Sequence, residues 1–144
     1  MKISLGTDHA GFDIKKNVVD FLKSSGHEVM DRGTFSKDSC DYPDFAKAVA
    51  SDILTGKAEK GILICGTGIG MSIAANKVKG IRAGVCWNEE TAKLIALHNN
   101  ANIICLGARF LYIEEIFDMI KIFLATQFEQ RHINRISKIS DMEK

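Results

Sequence analysis

Proline is almost absent from this chain: a single one, Pro43, occurs in 144 residues. No linker, low-complexity tract or internal repeat interrupts it either. Residues 1–144 therefore read as one domain, large enough to bury roughly two-thirds of its unfolded surface without staples. An excess of charge of one sign is also missing. Lys and Arg number 19 against 18 Asp and Glu, a formal net charge of +1, which excludes a broad basic footprint for nucleic acid. Cys40, Cys65, Cys86 and Cys105 form no C-x-x-C pair, so the thiols read as reduced and cytoplasmic, not as a disulfide or zinc framework. No apolar run approaches the ~20 residues of a membrane span, and the amino terminus opens directly on a strand pattern. A soluble, cytoplasmic protein is the expectation.

What the chain does contain is alternation. Lys2 to Gly6 reads as a strand, followed by a helix with apolar residues at Ile14, Val18, Phe21 and Leu22 that stops at Gly26. A second strand spans His27 to Asp31. A polar loop from Arg32 to Asp41 leads into a helix with Pro43 in its first turn and Phe45, Ala46, Val49, Ala50 and Ile53 along one face. Strand three is Gly61 to Ile64, with a helix from Met71 to Val78 after it. Strand four is Ile81 to Cys86, and Asn88 caps a helix that His98 closes. Strand five, Asn102 to Leu106, precedes a strongly amphipathic helix from about Tyr112 to Gln127 and a further one over Arg131 to Ile139. This order predicts an α/β fold: a single-domain, open, doubly wound, Rossmann-like arrangement in three layers with a five-stranded parallel sheet. Ligands of such sheets sit outside the carboxyl ends of the strands.

The stretch Cys65-Gly66-Thr67-Gly68-Ile69-Gly70 lies at one of those ends. Its spacing fails the dinucleotide fingerprint, whose third glycine would have to replace Met71, and it lacks the Gly-Lys-Ser/Thr ending of a P-loop. A compact cradle remains, with a thiol at its entrance and the Thr67 hydroxyl inside. Such a cradle suits a small oxyanion formed beside a base better than a long pyrophosphate. Asp8 and His9 follow strand one and Arg109 follows strand five, so all can share one crevice with the cradle.

Each candidate also has a purely structural reading. Cys65 alone would be a small core residue, and the glycines after it tip the balance toward chemistry. Asp8 and His9 can simply form a turn and helix cap. His98 is favoured at a helix C-terminus by the dipole whatever else it does. Arg131 and Arg135, one turn apart with His132 beside them, can face one anion or only solvent. Cys86 and Cys105 read as core thiols, and His27 as exposed and idle.

Taken together, Asp8-His9-Ala10-Gly11, Asp41-Tyr42-Pro43, Ile64 to Gly70, Ala74-Ala75-Asn76-Lys77, Gly80-Ile81-Arg82-Ala83, His98-Asn99 and Arg131-His132-x-x-Arg135 resemble the type B ribose-5-phosphate isomerases, over residues 2 to about 139. The resemblance implies a cofactor-free and metal-free aldose-ketose isomerase interconverting ribose 5-phosphate and ribulose 5-phosphate in the pentose phosphate pathway. It also implies a homodimer, or a tetramer, with sites at the subunit interface and the C-terminal helix reaching the partner. It gives catalytic roles to Cys65 as the base between C2 and C1, to His98 in ring opening and to Thr67. Asp8, His9, Tyr42, Gly66, Gly68, Ile69, Gly70 and Asn99 are its substrate-binding set. Arg109, with Arg131, His132 and Arg135 from the partner subunit, is its phosphate-binding set. Relatives without the cysteine place a glutamate where this chain has Met71, so this chain falls in the thiol-using branch. Isomerases of six-carbon sugar phosphates, such as allose or galactose 6-phosphate, and a non-catalytic phosphosugar-binding module are the alternatives. No nucleic-acid or membrane partner is implied.

The chemistry asks for these residue types on its own account. Moving a proton next to a carbonyl needs a base on one face of a flat intermediate, and a free cysteine with a pKa near ~8.5 serves only where the site favours its thiolate. Fixed donors must meet the developing oxyanion, and a remote phosphate held by arginine forks orients the sugar.

Overall fold

The computed structural model describes residues 1–144. Five parallel strands, β1 (Lys2–Thr7), β2 (Glu28–Asp31), β3 (Lys60–Cys65), β4 (Ala83–Val85) and β5 (Ile103–Gly107), form one sheet in the order β2-β1-β3-β5-β4. Six helices alternate with or follow them: α1 (Phe12–Ser24), α2 (Tyr42–Leu54), α3 (Ile69–Asn76), α4 (Glu89–Leu97), α5 (Ile113–Ala125) and α6 (Ile133–Asp141). A 3-10 turn, Gln130–His132, leads into α6.

Strand alternation sorts the core into two layers. Ile3, Leu5, Ile62, Ile64, Ile104 and Leu106 point to one face, where Val18 and Leu22 of α1, Ala92 and Ala96 of α4 and Ile116, Ile120 and Phe123 of α5 cover them. Leu63, Cys65, Ile103 and Cys105 point to the other, under Ala46, Val49 and Ala50 of α2 and Met71 and Ala75 of α3. No helix is long and apolar enough to cross a membrane.

The sheet reverses its winding between β1 and β3. After β1 the chain steps outward to β2, then crosses back over β1 to start β3 on its other side. The helices that follow these neighbouring strands, α1 and α3, lie on opposite faces, which opens a crevice at the carboxyl ends of β1 and β3.

Local chemistry adjusts several expected boundaries. The α1 helix closes on Ser25, and Gly26 takes φ +88, the left-handed conformation glycine adopts after a helix end. The α3 helix begins at Ile69 instead of Met71 because Gly68, at φ +80, is itself its N-cap. Strand β4 is three residues long instead of six. The Asn76 side chain takes over part of its outer edge, donating to the Ala83 carbonyl and accepting from the Ala83 amide, both at 2.8 Å. Asn88 caps α4 as expected, its side chain accepting from the Thr91 amide at 2.8 Å. His27 is half-buried, not exposed, and its Nδ1 lies 3.1 Å from the Met1 ammonium.

Candidate active site

The crevice between β1 and β3 is a cleft of about 430 Å³ lined by Asp8, His9, Ala10, Tyr42, Cys65, Gly66, Thr67, Ile69, Gly70, Ile73 and Arg109. Cys65 ends β3 at its floor, 5% exposed. The left-handed turn at Gly68 folds the chain back so that the Gly68 amide donates to Cys65 Sγ at 3.1 Å. The Ile69 amide donates to Thr67 Oγ1 at 3.1 Å, leaving the Thr67 hydroxyl proton free to donate elsewhere. The amides of Gly70 and Met71, in the first turn of α3, have no intrahelical acceptor. Sulfur, hydroxyl and first-turn amides thus gather at one helix end, where the dipole favours negative charge.

Asp8 spends one oxygen on structure: Oδ1 accepts from the Ala10 and Gly11 amides at 2.9 and 3.3 Å, fixing the turn into α1. Its other oxygen takes no protein donor. The His9 ring is tethered at Nδ1, which accepts from the Cys40 amide at 3.2 Å. Arg109 is held over the cradle by its own backbone, its amide donating to the Gly66 carbonyl at 3.0 Å. A Cβ on Gly66 would come within 3.0 Å of the Arg109 guanidinium carbon, so the missing side chain is what lets the arginine lie across the loop. Arg109 has no carboxylate partner among the ion pairs.

His98, Asn99, Arg131, His132 and Arg135 are elsewhere. The α4 helix runs back from the carboxyl edge, so His98 at its end reaches the amino edge of the sheet. There the Ala101 carbonyl accepts from Lys60 Nζ, at the start of β3, at 2.9 Å. Cys65 is at the far end of that strand, five steps of ~3.3 Å or on the order of 16 Å away. The α5 helix likewise returns the chain to the amino edge, where the Glu129 amide donates to the Leu97 carbonyl at 2.9 Å. The rings of His98 and His132 therefore meet, centroids 4.5 Å apart and tilted by 45°. Arg135 Nη1 lies 2.5 Å from His132 Nδ1, while Arg131 pairs with Glu129. His132 is 7% exposed and its Nε2 has no partner. Burial, then Arg131, His98 and Arg135, hold its pKa below the usual imidazole value, and Glu129 opposes them. The hydrogen bond from Arg131 keeps the Glu129 carboxyl below its ordinary range. Asn99 lines a separate cavity of about 660 Å³ with Asn76, Arg82 and Glu143.

One chain thus presents two polar half-sites at opposite ends of its sheet. The first holds the Cys65 thiol, the first-turn amides of α3 and the Arg109 guanidinium, which has no carboxylate partner; the second holds two imidazoles and two further guanidiniums. Sequence reasoning missed the Cys40 amide and Glu129. A main-chain amide carries no residue signature, whereas an acid two positions before Arg131 was a readable sign of an internal counter-ion.

Cys86 and Cys105 fit their core reading. Burial pushes the Cys86 thiol up to about 11 and raises that of Cys105 further.

The model of the ribose/galactose isomerase family matches residues 3–139. Ribose-5-phosphate isomerase B of Escherichia coli K12 is 43% identical over 143 residues, covering 99% of this chain and 96% of that protein. The backbone superposes on a ribose-5-phosphate isomerase B of Clostridium thermocellum with a TM-score of 0.97 at 46% identity, covering 99% of this chain and 97% of that one. The Mycoplasma genitalium ribose-5-phosphate isomerase B, solved with ribulose 5-phosphate bound, gives a TM-score of 0.94 at 41% identity, with 99% and 95% covered. In sequence and in backbone alike, over nearly its whole length, the chain belongs to the ribose/galactose isomerase family, among its type B ribose-5-phosphate isomerases.

Proposed function

We propose that the protein interconverts ribose 5-phosphate and ribulose 5-phosphate through an enediolate, and that each working site joins the cleft of one chain to the His98 half-site of a second. The observation that carries this reading is the Cys65 sulfur on the cleft floor, receiving the Gly68 amide beside the free first-turn amides of α3.

In the proposed sequence His98 delivers a proton to the furanose ring oxygen and recovers one, through water, from the O1 hydroxyl. The C1–O4 bond breaks and the open aldehyde forms. The Cys65 thiolate then takes the proton from C2, and the C–H electron pair becomes the C1=C2 bond as O1 gains the negative charge. Amides of the Gly66 to Gly70 cradle and the Thr67 hydroxyl steady that charge. Return of the proton from Cys65 to C1, with the O2 proton passing to O1, leaves the ketose and restores the thiolate. Asp8, His9, Tyr42 and Asn99 hold the hydroxyls. Arg109, with Arg131, His132 and Arg135 of the second half-site, takes the phosphate, whose binding energy orients the sugar. A thiol that must stay reduced fits a cytoplasmic setting.

Two features support assembly across chains. The half-sites cannot meet within one chain, because a whole strand separates them. And exposed apolar side chains collect at the carboxyl edge of the sheet, Ile69 and Ile73 of α3 at the cleft itself, Trp87 after β4, and Phe110 and Tyr112 after β5, an edge that suits a second copy.

Mixing two inactive variants tests both claims. In a hybrid of Cys65→Ala and His98→Asn chains, one of the two sites has both groups intact. With random exchange half the dimers are hybrids, so about a quarter of the unaltered specific activity should return. No recovery after subunit exchange shown by mass spectrometry would place the whole site in one chain, and full turnover by Cys65→Ala alone would remove the thiol from the reaction.

A further inference from the structure

We propose that the backbone amide of Cys40 holds His9 in the tautomer protonated on Nε2, so that the ring meets the bound sugar phosphate as a hydrogen-bond donor and never as a base. The claim rests on the reading of the cleft given above and adds to it the role of one residue and the segment that enforces it.

A main-chain amide can only donate, and that of Cys40 lies 3.2 Å from His9 Nδ1 with hydrogen-bond geometry. Nδ1 must then carry the lone pair, and the single proton of a neutral imidazole must sit on Nε2. The Cys40 thiol, 3.8 Å from the same nitrogen, can add only a weak second donor. A proton on Nδ1 would set two N–H groups against each other.

Such a clash could be relieved if the loop carrying Cys40 were loose, but it is fastened at both ends, over Asp31 to Phe35 and at the start of α2. The Arg32 guanidinium grips Asp52 of α2 with two bonds of 2.6 Å, and Ser4 Oγ donates to the same carboxylate at 2.7 Å. Thr7 pairs with the next two residues, its amide donating to the Gly33 carbonyl at 2.6 Å and its carbonyl accepting from the Thr34 amide at 2.7 Å. Lys15 bonds Asp31 and lies over the Phe35 ring, 4.0 Å from its centroid. Two residues after Cys40, α2 begins at Tyr42, which itself lines the cleft. The amide that fixes the histidine is therefore built into the wall that carries Tyr42.

The division of labour follows. Cys65 already supplies the base of the cleft, and a second acceptor nitrogen at His9 would repel the oxygen lone pairs of the substrate. An Nε2 proton offers those oxygens a fixed donor, oriented without being spent on any protein group.

The test reads the tautomer directly. In the full-length protein with 15N-labelled histidine, long-range proton–nitrogen correlation at neutral pH should give His9 a pyridine-type Nδ1 and a pyrrole-type Nε2, the resonances being assigned by their loss in His9→Asn. The reverse pattern, or two pyrrole-type nitrogens, would overturn the proposal. Kinetics give an independent arm. His9→Gln places an amide N–H near the reach of Nε2, whereas His9→Asn can keep an acceptor for Cys40 but offers no donor at that reach. Asn should therefore lower kcat/KM by about tenfold or more beyond Gln. Equal losses, or a greater loss for Gln, would show that the histidine serves the loop and not the substrate. If the isomerase reading itself failed, the unaltered protein would show no turnover while the nitrogen pattern stayed readable.

Discussion

Replacing Gly68 by alanine should damage the protein twice over, and the structure allows the two effects to be separated. Gly68 sits at φ +80 and ψ −15, where an L side chain costs about 1–2 kcal/mol. Its Cβ would lie 3.0 Å from the Leu106 carbonyl carbon and 3.2 Å from the Leu106 nitrogen and oxygen. Leu106 belongs to β5, an interior strand of the sheet, and is fully buried, so that backbone cannot retreat cheaply; overpacking of this kind typically costs about 1–3 kcal/mol. A combined loss of about 2–5 kcal/mol is a large share of the ~5–15 kcal/mol that holds a domain together. If the loop twists away to relieve the clash, the Gly68 amide leaves Cys65 Sγ and the first turn of α3 tilts. Loss of one such donor typically lowers kcat by about 10²-fold. Urea unfolding followed by circular dichroism reads the first effect, and isomerisation of ribose 5-phosphate under folding conditions reads the second. Gly68→Asn carries the same Cβ but tolerates the left-handed region better, so its difference from alanine isolates the torsional share. An alanine variant within ~0.5 kcal/mol of the unaltered protein and with unchanged kcat would refute the account of the cradle.

The thiols should react in the order their surroundings dictate. Brief exposure of the native protein to iodoacetamide should modify Cys40 and Cys65, with Cys65 protected by ribose 5-phosphate, while Cys86 and Cys105, whose thiols are raised by burial, stay unmodified in the peptide map; early labelling of Cys105 would contradict this. Acid should weaken the His132 cluster, because a folded-state pKa below the unfolded value of ~6.5 means that the unfolded chain binds more protons. Its contribution is intact above pH ~6.5 and shrinks as pH falls through that value toward the folded-state one. Denaturation midpoints between pH 7.5 and 5.5 should drop more for the unaltered protein than for His132→Asn, and equal slopes would remove His132 as the cause.

Much of this was legible in the amino-acid order, for a physical reason in each case. The run Gly61 to Ile64 is buried on both faces, so it reads as an unbroken apolar strand, and the glycines after it mark a turn whose Gly68 takes a left-handed conformation that few other residues adopt. Asn88 before Glu89 and Glu90 announces a helix start by side-chain chemistry alone. Strand order was hidden, because it depends on which distant apolar runs pair and β1 offers equivalent edges to β2 and β3. The distance of His98 from Cys65 was hidden with it, since only a sheet with its helices in place shows that α4 ends at the opposite edge. The short β4 escaped because Asn76 reads as one more polar helix residue until its amide is seen lying on Ala83. His27 escaped likewise, its partner being the terminal ammonium rather than any side chain.

That asparagine has a consequence for the life of the protein in a crowded solution. A parallel sheet has two open borders, and each invites a stranger's backbone to extend it into a fibril. On one border the Asn76 carboxamide imitates a short piece of neighbouring strand, leaving β4 with little to offer an intruder. The other border, β2, is only four residues long, which leaves an approaching strand few main-chain groups to pair with. Growth by strand addition is thus discouraged on both sides of the sheet.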